Sequence, residues 1–121
     1  MSVTGSVLHL MRREDYEVRA GQTTVVDCPP GGFIHCTGTA DVLRQVANSV
    51  FGATPGEFVV LVIDPSRLRA EVRWEPPEPA PPAGSPLSQV FFPHVYGDIN
   101  RGAVMDVRPA RRAARGEFLE T

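Results

Sequence analysis

Glu57-Phe58-Val59-Val60-Leu61-Val62-Ile63 is an unbroken, mostly β-branched apolar run that stops at Asp64-Pro65. Seven residues are too few for a buried helix of ordinary length, and β-branched side chains favour the pleated surface of a sheet. Polar residues do not alternate with the apolar ones, so the run reads as a strand buried on both faces and central to the fold.

The flanking segments supply its neighbours. Before it, Gly38-Thr39-Ala40-Asp41 opens a helix: Thr39 can cap it, Val42, Leu43, Val46, Val50 and Phe51 fall on one face, and Gly52 ends it. After it, Ala70 to Glu75 alternates as a half-buried strand, with Val72 and Trp74 on one side and Arg73 and Glu75 on the other. Towards the amino terminus, Val7 to Met11 reads as a strand followed by a short charged helix within Arg12 to Gly21. Thr23 to Val26 is extended, and Phe33 to Thr37 is a further strand after the turn chemistry of Pro29-Pro30-Gly31-Gly32. Pro76 to Pro86 is a proline-rich loop, either a lid or a spacer. Val90 to Ile99 and Ala103 to Val107 are two more extended runs joined by a turn at Asn100-Arg101-Gly102. The expectation is an α+β fold: a single compact domain over residues 1–121, with a mainly antiparallel or mixed twisted sheet and two helices packed on it. The core would span about 7–107, with 108–121 as an Arg-rich solvated tail.

Composition narrows the function. With 121 residues, 42% apolar and 21% charged, the chain can bury roughly two-thirds of its unfolded surface. No basic region followed by a long apolar run opens the chain, and no stretch approaches the length that spans a bilayer, so a cytoplasmic protein is expected. A net charge of −2 with scattered arginines is a poor footprint for nucleic acid. All twelve basic residues are arginine, which excludes Schiff-base chemistry. Cys28 and Cys36 lack structural-zinc spacing, and no metal is expected. The implied partner is a small molecule, bound by a monomer or homodimer.

Three histidines, His9, His35 and His94, each sit inside an apolar run instead of on a polar loop. Histidine titrates nearest neutrality, which suits it to proton transfer. Glu75, at a strand end beside Trp74 and before the proline loop, is the best carboxylate; desolvation by the indole would raise its pKa and make it an acid or base near neutrality. Arg73 could pair with Glu75 or with an anionic group of a ligand. Tyr96 shares a strand face with His94, and Thr37 with His35, while Gly97 would let a ligand approach the backbone. The expected catalytic residues are Glu75, His35 and His94, with His9, Thr37, Cys36, Arg73 and Tyr96 binding the ligand.

Gly32-Phe33-Ile34-His35-Cys36-Thr37, Ile63-Asp64-Pro65 with Leu68, Arg73-Trp74-Glu75 and Phe92-Pro93-His94-Val95-Tyr96-Gly97, in this order, resemble the domain-of-unknown-function 952 family of small bacterial proteins. Leu8-His9-Leu10 is similar to that family's first strand, so the resemblance runs from about Val7 to Val107. The family is itself distantly similar to ADP-ribosyltransferases. That similarity implies a transferase-like fold with NAD as a possible substrate, His9 on the nicotinamide ribose and Glu75 as the late acidic residue. The second-strand position is open among Phe33, His35 and Thr37. Three readings follow: an NAD-dependent ADP-ribosyltransferase or glycohydrolase; a general acid/base cyclase, isomerase or lyase of bacterial natural-product metabolism; or a non-catalytic small-ligand or NAD-metabolite sensor.

Overall fold

The computed structural model describes residues 6–121. Met1–Gly5, on which the expected absence of an export signal partly rests, lie outside the described residues. No helix among the described residues is long and apolar enough to cross a membrane.

In chain order the elements are β1 (Val7–Arg12), α1 (Arg13–Glu17), β2 (Thr24–Val26), β3 (Ile34–His35), α2 (Ala40–Phe51) and β4 (Phe58–Ile63). They continue with β5 (Glu71–Glu75), β6 (Phe92–Tyr96), β7 (Ile99–Asn100), β8 (Val104–Pro109), β9 (Arg111–Arg112) and β10 (Phe118–Glu120). The fold is α+β, and the strands pair antiparallel. Two three-stranded sheets, β1-β4-β8 and β3-β6-β5, replace the one sheet expected, with short ribbons β2-β7 and β9-β10 at their margins. A bridge between Leu8 and Thr37 joins the two larger sheets.

All six residues of β4 are buried. Val59, Leu61 and Ile63 pack with Val25, Ile34 and Val95 in one core, and Phe58, Val60 and Val62 pack with Leu43 and Ala47 of α2 in a second. This is the two-faced strand predicted from its unbroken apolar run, flanked by β1 and β8. Thr39 caps α2 by accepting from the Val42 amide at 3.2 Å. The buried side of α2 is narrower than expected: Leu43 and Ala47 enter the core, whereas Val50 is 61% exposed. Five residues make α1, and none of them is fully buried.

Two expectations need correction. Residues 108–121 are not a solvated tail: β8 continues to Pro109, Phe118 is 1% exposed, and Arg112 donates to the carbonyls of Gly116, Gly56 and Phe51 at 2.9, 2.8 and 3.2 Å. The Arg112 guanidinium also lies 4.3 Å from the centre of the Phe118 ring, so the segment folds because it brings both an apolar anchor and a cation to cover it. Trp74 is not a core residue either. The residue is 52% exposed, and its ring lies over Gly38, where an added Cβ would sit 3.0 Å from it. Val72 alone of the pair packs against the core.

Candidate functional site

Antiparallel register sets the site. His35 of β3 lies opposite His94 of β6, and His94 lies opposite Arg73 of β5, so these three share one face, while Ile34, Val95 and Val72 share the core face. The His35 and His94 rings are 5.6 Å apart. Phe33, two residues before His35, stacks on His94 with centroids 4.0 Å apart and 21° between planes. It also touches the rings of His35 and Tyr96, at 4.7 and 5.3 Å.

A cleft of about 690 Å³ opens over this face, and His9, His35, Cys36, Thr37 and His94 line it. Opposite them stand Val46, Val50 and Phe51 of α2, together with residues 77–82 of the proline-rich loop. The loop therefore forms part of the cleft wall. It is tied down where His35 Nε2–H donates to the Glu78 carbonyl at 2.8 Å.

The hydrogen bonds assign the ring protons, because a carbonyl or an ionised carboxylate can only accept. His9 donates Nδ1–H to the His35 carbonyl at 2.9 Å, leaving Nε2 as its unshared nitrogen when the ring is neutral. Burial lowers the His9 pKa below the ordinary 6.5, outweighing that hydrogen bond, so the neutral ring is favoured. His94 donates Nδ1–H to Glu75 Oε1 at 2.8 Å, and the Tyr96 hydroxyl donates to the same oxygen at 2.5 Å. These two bonds, Tyr96 first and His94 second, hold the Glu75 carboxyl below its usual range. The bond to Glu75, with burial, raises the Tyr96 phenol.

Glu75 is thus the reverse of what its neighbour Trp74 suggested. The indole lies on the other strand face, and the carboxylate is stabilised in its charged form. Nor does Arg73 pair with Glu75: its guanidinium binds Glu71 at 3.1 Å and covers the Tyr96 ring at 4.3 Å. Glu75, Tyr96 and Arg73 do not line the cleft; Glu75 reaches it through His94, and Tyr96 stands behind Glu75. Cys36 is a wall and not a nucleophile, since burial pushes its thiol far up and keeps it protonated. Thr37 is buried, and its backbone is committed to Leu8 through two 2.8 Å bonds. Gly97 serves packing: a Cβ there would meet the Ala70 Cβ at 2.7 Å, so its small size admits β5 and not a ligand. Among the described residues no group of three or more His, Cys, Asp or Glu side chains is placed to hold a metal ion.

Val46 and Val50, which share one apolar face of α2 with Leu43 in the sequence, line the cleft, and Phe51 lines it while also packing against the second core. Phe33, one of the three candidates for the second-strand position, lies two residues before His35 and so shares its strand face.

A family model described as "Protein of unknown function (DUF952)" matches residues 11–107, a span that begins two residues after His9. The X-ray crystal structure of protein CC0527 from Caulobacter crescentus matches with a TM-score of 0.69 and 19% identity, covering 93% of this chain and 92% of that one. A double mutant of the same protein matches with the same TM-score and coverage at 18% identity. At such identity the likeness concerns the fold. No curated protein matches.

Proposed function

We propose that this chain, which belongs to the DUF952 family, is a small-molecule enzyme that works by general acid/base catalysis, in the manner of a cyclase, isomerase or lyase. One observation carries the reading: a cleft-lining histidine, His94, has its Nδ1–H held by an ionised glutamate that is itself held by a tyrosine. A carboxylate on Nδ1 fixes the tautomer, leaves Nε2 as the base, and stabilises the imidazolium formed when Nε2 takes a proton.

In this scheme His94 Nε2 removes a proton beside a carbonyl and returns it at the product position. His35, with Nε2–H committed to the loop, presents Nδ1–H to the carbonyl oxygen when protonated. Glu75 is a positioning residue, because it acts through His94 and does not line the cleft. Phe33 stacks on the face of the His94 ring, which is 2% exposed, and fixes the plane in which Nε2 points. The ADP-ribosyl reading asks for a glutamate at the sugar, whereas Glu75 lies outside the cleft lining with its Oε1 occupied by two donors, His94 and Tyr96. That favours acid/base chemistry over NAD cleavage.

Proton abstraction can be tested without knowing the product, by following deuterium wash-in to a panel of ketones in D₂O by NMR. The wild type should accelerate exchange. His94→Asn should lose on the order of a hundredfold or more, and Glu75→Gln about ten- to a hundredfold with its fold retained. Exchange at the wild-type rate in His94→Asn would overturn the reading.

A further inference from the structure

The charges around the cleft are unevenly placed. None of the twelve arginines lines it. Arg73, on the strand beside His94, is committed to Glu71 and the Tyr96 ring, and Arg19 to Asp27 through both of its terminal nitrogens. Asp27 and Glu78 are the two carboxylates on the lining. Arg19 compensates the first, while the second makes no ion pair among the described residues. The remaining wall is mostly apolar, with Leu10, Leu43, Val46, Val50, Phe51 and Phe92 around the three histidines and only Thr37 and Ser49 adding hydroxyls.

An anion entering such a cleft gives up water without meeting any arginine or lysine, finds histidine rings and two hydroxyls as its main side-chain donors, and faces the Glu78 carboxylate besides. A flat apolar molecule gains by burial against those side chains, and it needs only one or two polar atoms to meet the histidine nitrogens. We infer that the site takes an uncharged, largely apolar small molecule carrying a hydrogen-bonding oxygen, and rejects phosphate- or carboxylate-bearing ligands, nucleotides included. This rests on reading the cleft as the ligand site, and it names the substrate class that the acid/base chemistry would act on.

The test compares two probes of one shape, 2-acetylnaphthalene and 2-naphthoate, with NAD as a third, by titration against histidine and cleft resonances in NMR. The ketone should bind at least tenfold more tightly than the carboxylate, with no saturable shift from NAD. Val50→Arg, at an exposed position on the cleft wall, should raise naphthoate affinity at least fivefold without improving the ketone. Ser49→Arg, at the preceding position of α2 and also on the lining, repeats the measurement if the first variant folds poorly. Equal or tighter binding of naphthoate or NAD to the wild type overturns the inference, as does failure of the ketone to bind. Should the ketone bind while His94→Asn exchanges protons normally, the acid/base reading falls and the substrate class stands.

Discussion

Phe118→Ala separates a folded carboxyl-terminal segment from a solvated one. The ring is 1% exposed, packs edge-on to Phe58 at 5.5 Å, and lies beneath the Arg112 guanidinium at 4.3 Å. Its backbone exchanges two bonds with the Asn48 carboxamide, at 2.7 and 3.1 Å, and the substitution leaves those in place. What is lost is the ring: its transfer free energy, the cavity it leaves, and the contacts to Phe58 and Arg112. Truncation of a buried phenylalanine costs about 3–5 kcal/mol. For a chain of this length about 4 kcal/mol corresponds to a fall in Tm of roughly 15 °C. Urea denaturation followed by circular dichroism gives the free energy, with Leu119→Ala, 47% exposed on the same strand, as the control expected within about 0.5 kcal/mol. A Phe118→Ala loss below about 1 kcal/mol would refute the packing argument and return residues 108–121 to solvent.

His9 contributes an acid limb to stability. Because its folded pKa is lowered, the unfolded chain takes up a proton first, so stability is fully present above the ordinary value of 6.5 and falls as pH drops through the folded value. His9→Asn keeps a donor for the His35 carbonyl but cannot titrate; its urea midpoint should fall less than that of the wild type between pH 7.5 and pH 5, and parallel slopes would contradict this. Phe33→Ala should expose the His94 ring and speed its modification by diethyl pyrocarbonate about tenfold or more, read by peptide mass spectrometry, whereas an unchanged rate would remove Phe33 as the cover. Gly97→Ala should cost about 1–3 kcal/mol, because the new methyl meets the Ala70 Cβ and neither can rotate away, and a neutral result in thermal denaturation would show that β5 shifts freely.

The elements were legible wherever a local pattern decides them. An unbroken β-branched run can only be satisfied between two apolar layers, so β4 and its central place followed from its residues alone. Thr39 set the start of α2 through capping chemistry that acts within a single turn, and Gly52 follows its last residue. Strand alternation likewise put His94 with Tyr96, and Arg73 with Glu75, on common faces. Family membership was legible too, because motif order survives without any knowledge of contacts.

Partners across space were not legible. Periodicity marks an apolar stripe without saying whether core or cleft will cover it, and so Val46 and Val50 became wall. Trp74 and Phe118 exchanged the roles their local sequence suggested, because burial depends on what the chain lays over each residue: Trp74 has Gly38 against its ring and stays half-exposed, while Arg112, Phe58 and α2 enclose Phe118. The electrostatics of Glu75 were likewise decided by tertiary contact. Its neighbour in sequence is an indole, which predicts a raised pKa, but a hydrogen bond acts over about 3 Å and only register brings the donors of His94 and Tyr96 within that distance. Sequence thus determined which groups the site has to work with, and the pairing of β5, β6 and β3 decided which of them face the ligand and which stand behind.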